Sequence, residues 1–264
     1  LDVCDLNSAL TEEFCRIQLA TSVNTADQVA RERFGYFNEH IMARTAELSV
    51  QLDNRFLDSP YLNQLDQERY SQLIKLLKNS RELFQKENVP LEIENAQLAE
   101  KYNQISGSFS IKFEGRELNL TELGVYQKST DRVLREKAWR KAAECRLQKK
   151  DELNELYSSM VSVRTKIAQN AGFANYRDFR HLSLNRFDYS PIDCARFHET
   201  IQEHAVEALR ERNKVRSSRM GLEKLSPWDL SVDPLGRQPL RPFQTQDELV
   251  TGCIAILDRI YPKL

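Results

Sequence analysis

The sequence predicts a mainly α-helical fold, built from long antiparallel helices with one small β-hairpin. Apolar residues recur at spacings of three, four and seven over most of the chain, which is the period of a helix with one buried face. Only eight glycines and eight prolines interrupt the 264 residues. Period-two alternation, the pattern of a strand with one buried face, occurs near residues 108–120.

The first hundred residues predict three helices. Residues 25–28 (Thr-Ala-Asp-Gln) have the form of a capping box, and the helix they open ends before Pro60. Asp66 begins a second helix, which is broken at Pro90. A third and shorter helix is expected over residues 91–102.

The hairpin follows these helices. Phe109, Ile111 and Phe113 alternate with polar residues, and the turn Glu114-Gly115 leads into a second alternating run that ends at Leu120. Because an isolated hairpin is marginally stable in water, we expect it to lie on helices.

The stretch from Thr130 to Ala171 contains neither glycine nor proline. Its two apolar stripes are separated by the charged run 149–152. The pattern allows one helix of about 60 Å, at about 1.5 Å per residue, or two helices with a bend near Lys150. Gly172 then ends the helical pattern as a C-cap glycine with positive φ.

The last third of the chain predicts two more helices. Ser190 is the N-cap of a helix over Pro191–Arg219, which Gly221 ends. A proline-rich loop precedes a final amphipathic helix, Asp247–Ile260, that meets Pro262. This last helix needs a partner for its apolar stripe, which consists of Leu249, Cys253, Ile256 and Ile260.

Composition and charge argue against several classes of protein. The chain has 38 basic and 39 acidic residues, so it has no global field that attracts nucleic acid or an anionic membrane. We interpret the basic residues near the end of the helix over Pro191–Arg219 as a complement to its dipole. No apolar run is long enough to span a membrane, and no signal-peptide pattern opens the chain. We therefore expect no nucleic-acid partner and no membrane.

Cysteine usage indicates a reducing compartment. The five cysteines are odd in number and scattered, and none forms a Cys-x-x-Cys pair. We expect a cytoplasmic protein.

Several short strings resemble the oligoendopeptidase F family of zinc metallopeptidases, the relatives of thimet oligopeptidase. Residues 130–139 (TDRVLREKAW) are similar to the start of a helix in that family, and residues 172–178 (GFANYRD) come next in the family's order. Residues 225–230 (LSPWDL) resemble its Arg-Pro-Trp-Asp loop, with Ser226 in place of the arginine. The resemblance runs from about Gly107 to the last residue.

The resemblance implies a mostly helical enzyme that hydrolyses short peptides and uses zinc. It implies that residues 1–128 are a helical N-terminal region, with the hairpin near 108–120. Residues 129–264 would be the first helices of a truncated peptidase catalytic domain. The active-site helix of the family is expected beyond this segment, so the chain alone is expected to be inactive. Its expected partners are oligopeptide substrates, for the intact protein, and the remainder of the catalytic domain.

Zinc peptidases of this class bind their metal through His-Glu-x-x-His on one helix, which places both imidazoles on the same face. The nearest approach here begins at His198, and Gln202 occupies the position of the second ligand. A neutral amide is a poor zinc ligand, and His204 lies about 120° away around the helix at about 100° per residue. We therefore predict no catalytic, cofactor-binding or metal-binding residue in this chain, and no zinc bound by it.

Two other interpretations stay open. One is a non-catalytic all-α interaction module on the same scaffold. The other is a cysteine-dependent hydrolase, for which Cys194 and His198 have one-turn spacing, although the apolar setting of Cys194 favours an inert thiol.

The polar and aromatic residues of the family strings also have a structural interpretation. We interpret residues 175–178 and the Trp228-Asp229 pair as scaffold, with Trp228 packed inward and the carboxylate of Asp229 capping the residues after it. The other interpretation is that they line a peptide cleft.

Overall fold

The computed structural model describes residues 2–261 and consists mainly of helices. The helices are α1 (Asp2–Val23), α2 (Gln28–Tyr36), α3 (Ala43–Leu57), α4 (Gln67–Leu83), α5 (Val89–Gly107), α6 (Leu120–Gly124), α7 (Arg132–Gln148), α8 (Lys150–Asn170), α9 (Tyr176–Ser183), α10 (Pro191–Thr200), α11 (Val206–Arg219) and α12 (Gln246–Ile260). One antiparallel hairpin joins β1 (Ile111–Phe113) to β2 (Arg116–Leu118). The predicted fold class, mainly α with one small hairpin, is confirmed.

The chain folds into two compact units, each made from two stretches of sequence. The first unit comprises Leu1–Ser110 and Cys145–Glu207, and the second comprises Ile111–Glu144 and Ala208–Leu264. The predicted boundary between residues 128 and 129 separates an N-terminal region from a catalytic domain, which is a different division from these two units. It stays a prediction.

The N-terminal helices differ from the prediction in their ends. Helix α1 was not predicted. The cap of α2 is Asp27 rather than Thr25, because the Asp27 carboxylate accepts a bond from the Ala30 amide at 3.0 Å. Asp66 caps α4 as predicted, through the amides of Glu68 and Arg69.

Helix α5 is longer than the predicted segment 91–102 and runs from Val89 to Gly107. Pro90 lies in its first turn, where the missing amide hydrogen costs nothing. The proline therefore starts α5, and the predicted end of the second helix at Pro90 was wrong, because α4 already ends at Leu83.

The core of the first unit forms between α8 and α9. Val163, Ile167 and Ala168 of α8 are buried against Phe179 of α9. The Asn88 side chain donates to the Ile167 carbonyl at 3.0 Å, and it accepts from Asn170 at 2.8 Å. These bonds attach the start of α5 to the end of α8.

The helical region 132–170 is interrupted at Lys149, so the single long helix was wrong and the alternative with two helices holds. Lys149 has φ −102° and ψ 8°, and its amide donates to the Arg146 carbonyl at 3.1 Å in a tight turn. Asp151 and Glu152 occupy the first turn of α8, where acidic side chains complement the helix dipole.

The hairpin turn has the predicted position. Glu114 (φ 49°) and Gly115 (φ 75°) are both left-handed, as a two-residue turn that follows the twist of the strands requires. The strands are shorter than predicted, because Phe109 precedes β1 and Leu120 already belongs to α6. Asn119 ends the second strand by forming a capping box with Glu122.

The helix predicted over Pro191–Arg219 is present, and it contains a π turn, Ile201–Ala205, between α10 and α11. Ser190 and Asp193 form the capping box at its start, and Gly221 (φ 63°) lies just after its end. The predicted last helix begins at Gln246 after the cap Thr245. Pro262 lies outside the described residues.

A pair of glycine substitutions tests the capping of α8. The Gly172 amide (φ 80°) donates to Gln169, and the Phe173 amide donates to Ala168, which closes the helix. A Cβ at Gly172 meets nothing within 4 Å, so Gly172→Ala costs only backbone energy, about 1–2 kcal/mol of unfolding free energy. Gly35 lies inside α2 with open space around its Cα, so Gly35→Ala stabilises by about 0.5–1 kcal/mol. Urea unfolding midpoints that move in the same direction for both variants would contradict this assignment.

Candidate functional site

The helix with the partial zinc motif is exposed. His198 and Glu199 lie on the surface of α10, and Cys194 is half-buried. Gln202 and His204 belong to the adjoining π turn. Among residues 2–261, no three His, Cys, Asp or Glu side chains are placed to hold one metal ion. The described residues do not fit a zinc site, and the prediction that the chain carries no catalytic or metal-binding residue stays a prediction.

His181 is buried in a structural role. Its Nε2 lies 2.7 Å from the Tyr189 carbonyl oxygen, and because a carbonyl only accepts, Nε2 is the donor. Its ring meets the Tyr189 ring edge to face at 5.3 Å between centroids. His181 thereby fixes the loop that leads from α9 to α10.

The family-like string 172–178 leads into the short helix α9, Tyr176–Ser183. Asn175 is the N-cap of α9: its side chain accepts from the Asp178 amide at 3.0 Å and donates to the Asp178 carboxylate at 2.8 Å. Arg177 binds the same carboxylate at 2.8 Å. The bonds from Arg177 and then from Asn175 hold the pKa of Asp178 below its usual range. These polar residues form the helix end, in agreement with the scaffold interpretation.

The end of α9 is attached to α4. Asn185 adopts a left-handed conformation (φ 55°) after the helix. Asn79, which is buried on α4, donates from its amide nitrogen to the Leu182 carbonyl at 2.9 Å and to Asn185 Oδ1 at 3.0 Å. One side chain therefore binds two groups at the C-terminal end of α9.

A buried cluster of charged residues forms in the second unit. Asp229 is fully buried, and Arg135 is 2% exposed. The Asp229 carboxylate receives a bidentate pair of bonds from Arg132, at 3.0 and 2.9 Å, and a further bond from Arg135 at 3.0 Å. The Ser226 amide donates to the same carboxylate at 2.9 Å.

Arg135 also donates three bonds to backbone carbonyls. They bind Trp228 at 2.8 Å, Ser129 at 2.9 Å and Thr130 at 3.2 Å. Burial alone raises the pKa of Asp229, but the bonds from Arg132, the Ser226 amide and Arg135 outweigh it and hold that pKa below its usual range. The carboxylate is therefore charged and fully paired in the folded protein.

Two of the family-like strings thus contact each other. The string 130–139 supplies both arginines, and 225–230 supplies the carboxylate, 94 residues away from Arg135. Trp228 packs inward as predicted, 5.6 Å from the Trp139 ring. The Asp229 carboxylate caps the preceding Ser226 amide rather than a later residue, because residues 227–229 form a single 3-10 turn that brings it back to Ser226.

A cavity of about 630 Å³ lies in the first unit, between α3, α4, α5 and α9. Its wall includes Phe179 and Ser183 of α9 and Asn185, which follows that helix. No periodicity in the sequence predicts this cavity, because its walls come from helices that are distant along the chain.

Comparison with known families gives the identity of the scaffold. Residues 125–262 match Peptidase family M3, and residues 2–84 match the Peptidase M3 N-terminal domain. The chain belongs to peptidase family M3. Among curated proteins, none matches the chain.

Solved structures share the M3 fold of this chain. A protein assigned as an oligoendopeptidase F from Bacillus anthracis str. Ames is 24% identical with a TM-score of 0.85, and 92% of this chain covers 44% of it. A second oligoendopeptidase F structure is 25% identical to this chain, and PZ peptidase A, solved with an inhibitor, is 24% identical. Both have a TM-score of 0.87, and in both comparisons 93% of this chain aligns with 43% of the other protein. The chain therefore spans less than half the length of these proteins, and the resemblance to oligoendopeptidase F is confirmed.

The membrane prediction is tested by the helices themselves. None of the helices within residues 2–261 combines the length and the apolar character that crossing a membrane requires.

Asp229→Asn tests the buried cluster of this M3 scaffold. The substitution leaves Arg135 charged and buried without its anion, and we expect a loss of roughly 3–5 kcal/mol in the free energy of unfolding. The matched control is Glu136→Gln on α7, the helix that carries Arg135. It removes an exposed 2.8 Å pair with Arg140 and costs less than about 0.5 kcal/mol of unfolding free energy. Equal losses for the two variants in urea unfolding would show that the cluster contributes no more than a surface pair.

The same cluster predicts a dependence on pH. A carboxylate whose pKa is lowered by folding stabilises the protein above its unfolded pKa, about 3.9 for Asp, and this contribution is lost as the pH falls through the folded pKa. The stability difference between the wild type and Asp229→Asn is therefore constant above about pH 5 and shrinks below about pH 4. A difference that grows as the pH falls would contradict the assignment.

Proposed function

We propose that this chain is the N-terminal, non-catalytic portion of a zinc-dependent oligoendopeptidase that hydrolyses short peptides in the cytoplasm. The observation that carries the proposal is the match of residues 125–262 to Peptidase family M3. The likeness in fold to the oligoendopeptidase F structures supports it. In this proposal residues 1–128 are the helical N-terminal region, and residues 129–264 are the first helices of the catalytic domain.

The proposal assigns zinc to the intact protein, with ligands that lie outside the 264 residues of this chain. The sequence beginning at His198 has Gln202 where the second histidine of His-Glu-x-x-His would stand. An amide side chain lacks the affinity of an imidazole for zinc, so this helix does not complete a catalytic metal site. The segment itself supplies scaffold and, by this proposal, cleaves no peptide.

The proposed partner of the segment is the remainder of the catalytic domain. Helix α12 has no buried residue, and its predicted stripe is exposed, with Ile256 at 58% and Ile260 at 74%. On α10, Ile192 and Phe197 are 65% and 63% exposed. Exposed apolar side chains on one helix face, as on α12, are typical of an interaction face.

The same exposed faces favour one alternative, a non-catalytic all-α interaction module on the M3 scaffold. In that case the apolar surface binds another protein, and no His-Glu-x-x-His belongs to the gene product.

One experiment separates the two functions. The coding sequence is read beyond codon 264, and the protein is purified from its native source for measurement of zinc content and of cleavage of an internally quenched oligopeptide. We expect a downstream His-Glu-x-x-His, stoichiometric zinc, and cleavage that a chelator abolishes and added zinc restores. A stop codon after Leu264, or a zinc-free protein without cleavage, would favour the module. Tight zinc or metal-dependent cleavage in the 264-residue chain alone would overturn the proposal.

A further inference from the structure

The cavity in the first unit has the size of a ligand-binding site. Its volume of about 630 Å³ falls within the range of about 300–1,000 Å³ that is usual for such sites. Apolar side chains from four helices line it, among them Val50, Leu83, Ile93 and Phe179. A lining of this kind accepts an apolar group out of water.

Five asparagines belong to the lining. Asn88 uses both its amide nitrogen and its oxygen within the protein, and the oxygen of Asn95 accepts from Arg164. The other three keep one polar group that their bonds do not use. Asn38 donates from its amide nitrogen to the Phe34 carbonyl at 2.8 Å, and Asn79 uses its amide nitrogen for Leu182 and Asn185. These bonds do not use the oxygens of Asn38 and Asn79, whereas Asn185 accepts with its oxygen and does not use its amide nitrogen there. The three carboxamides thus offer acceptors and a donor, which is the complement of a peptide amide.

Charge is nearly absent from the lining. Glu92 is the single ionisable residue among the lining side chains. Although the residue as a whole is exposed, partial desolvation of its carboxyl raises its pKa, against the opposing influence of Arg180. The lining has no cationic side chain that could bind an anion, and Glu92 is its one carboxyl group that could bind a cation.

The backbone departs from regular geometry at the cavity. The helix from Gln28 to Leu57 is interrupted by a π turn, Phe37–Met42, which contributes Asn38 and Met42 to the wall. π turns are rare, and they occur often at functional sites.

We propose that this cavity binds an uncharged, apolar segment of a peptide, with the side chain against the aliphatic wall and an adjacent amide bonded to Asn38, Asn79 and Asn185. The inference goes beyond the proposed hydrolysis, because it rests on the lining of the first unit and requires neither zinc nor cleavage. Absence of peptidase activity in the intact protein would leave it standing.

The test uses the 264-residue chain, without metal, and the blocked tripeptide acetyl-alanyl-leucyl-alaninamide. Binding is followed by amide chemical shifts in NMR spectra. We expect saturation with a dissociation constant on the order of 0.1–1 mM, given the size of the peptide, and shifts concentrated at residues of α3, α4 and α9. Absence of saturation at about 10 mM, well above that range, would overturn the proposal.

Two comparison ligands test the chemistry. The aspartyl analogue of the tripeptide carries a charge, and 4-methylpentanol carries the apolar group without an amide. We expect each to bind at least tenfold more weakly than the leucyl peptide. Equal binding of the aspartyl peptide would overturn the preference for an uncharged segment, and equal binding of the alcohol would overturn the recognition of an amide.

Variants locate the site. Ala46→Phe fills the cavity from α3 and is expected to weaken binding at least tenfold, whereas Ala20→Phe on the exposed face of α1 leaves it unchanged. Asn38→Ala removes one carboxamide and is expected to weaken binding about fivefold. If Ala46→Phe unfolds, Ala96→Phe fills the same cavity from α5. Unchanged affinity in a folded cavity-filling variant would overturn the proposal.

Discussion

The ion pair between Arg135 and Asp229 is the interaction on which the second unit depends. Both side chains are almost completely excluded from water, and a buried charge is tolerated only when its partner and its hydrogen bonds are in place. The pair therefore requires residues 226–229 to lie against α7. Arg216 adds bonds to the Asp229 and Val232 carbonyls, at 3.0 and 2.7 Å. Arginine side chains thus donate hydrogen bonds to the backbone carbonyls of the loop 226–232, which contains no strand or long helix.

The first unit is held together by different chemistry. Its helix ends are joined by neutral carboxamides: Asn88 and Asn170 connect α5 to α8, and Asn79 connects α4 to the end of α9. A carboxamide both donates and accepts, so it can bind a helix-end carbonyl and a neighbouring side chain without burying a charge. Because these residues are neutral, they join the helix ends without adding charge to the interior. The lining of the cavity accordingly contains one ionisable residue, Glu92.

The sequence was informative where the cause of a structure is local. The caps at Asp66 and Ser190, the hairpin turn and the left-handed Gly172 result from residues adjacent in the chain. Local patterns left the break at Lys149 undecided and missed the π turns, because neither glycine nor proline marks these positions. Likewise, the inward packing of Trp228 was predicted, but the arginine partners of Asp229 lie more than ninety residues away. No spacing rule predicts a contact of that range, nor a cavity whose walls come from four separate helices.

The strings that resemble the family contain residues that make buried ion pairs and helix caps. Arg132 and Arg135 bind the buried carboxylate of Asp229, and Asn175 caps the helix that closes the core of the first unit. Such residues are hard to exchange, because removing one partner leaves a buried group unsatisfied. They therefore stabilise this structure independently of the metal chemistry that the intact protein is proposed to carry. Recognition of the family from these residues is a consequence of packing, and a peptidase and a non-catalytic relative would both retain them.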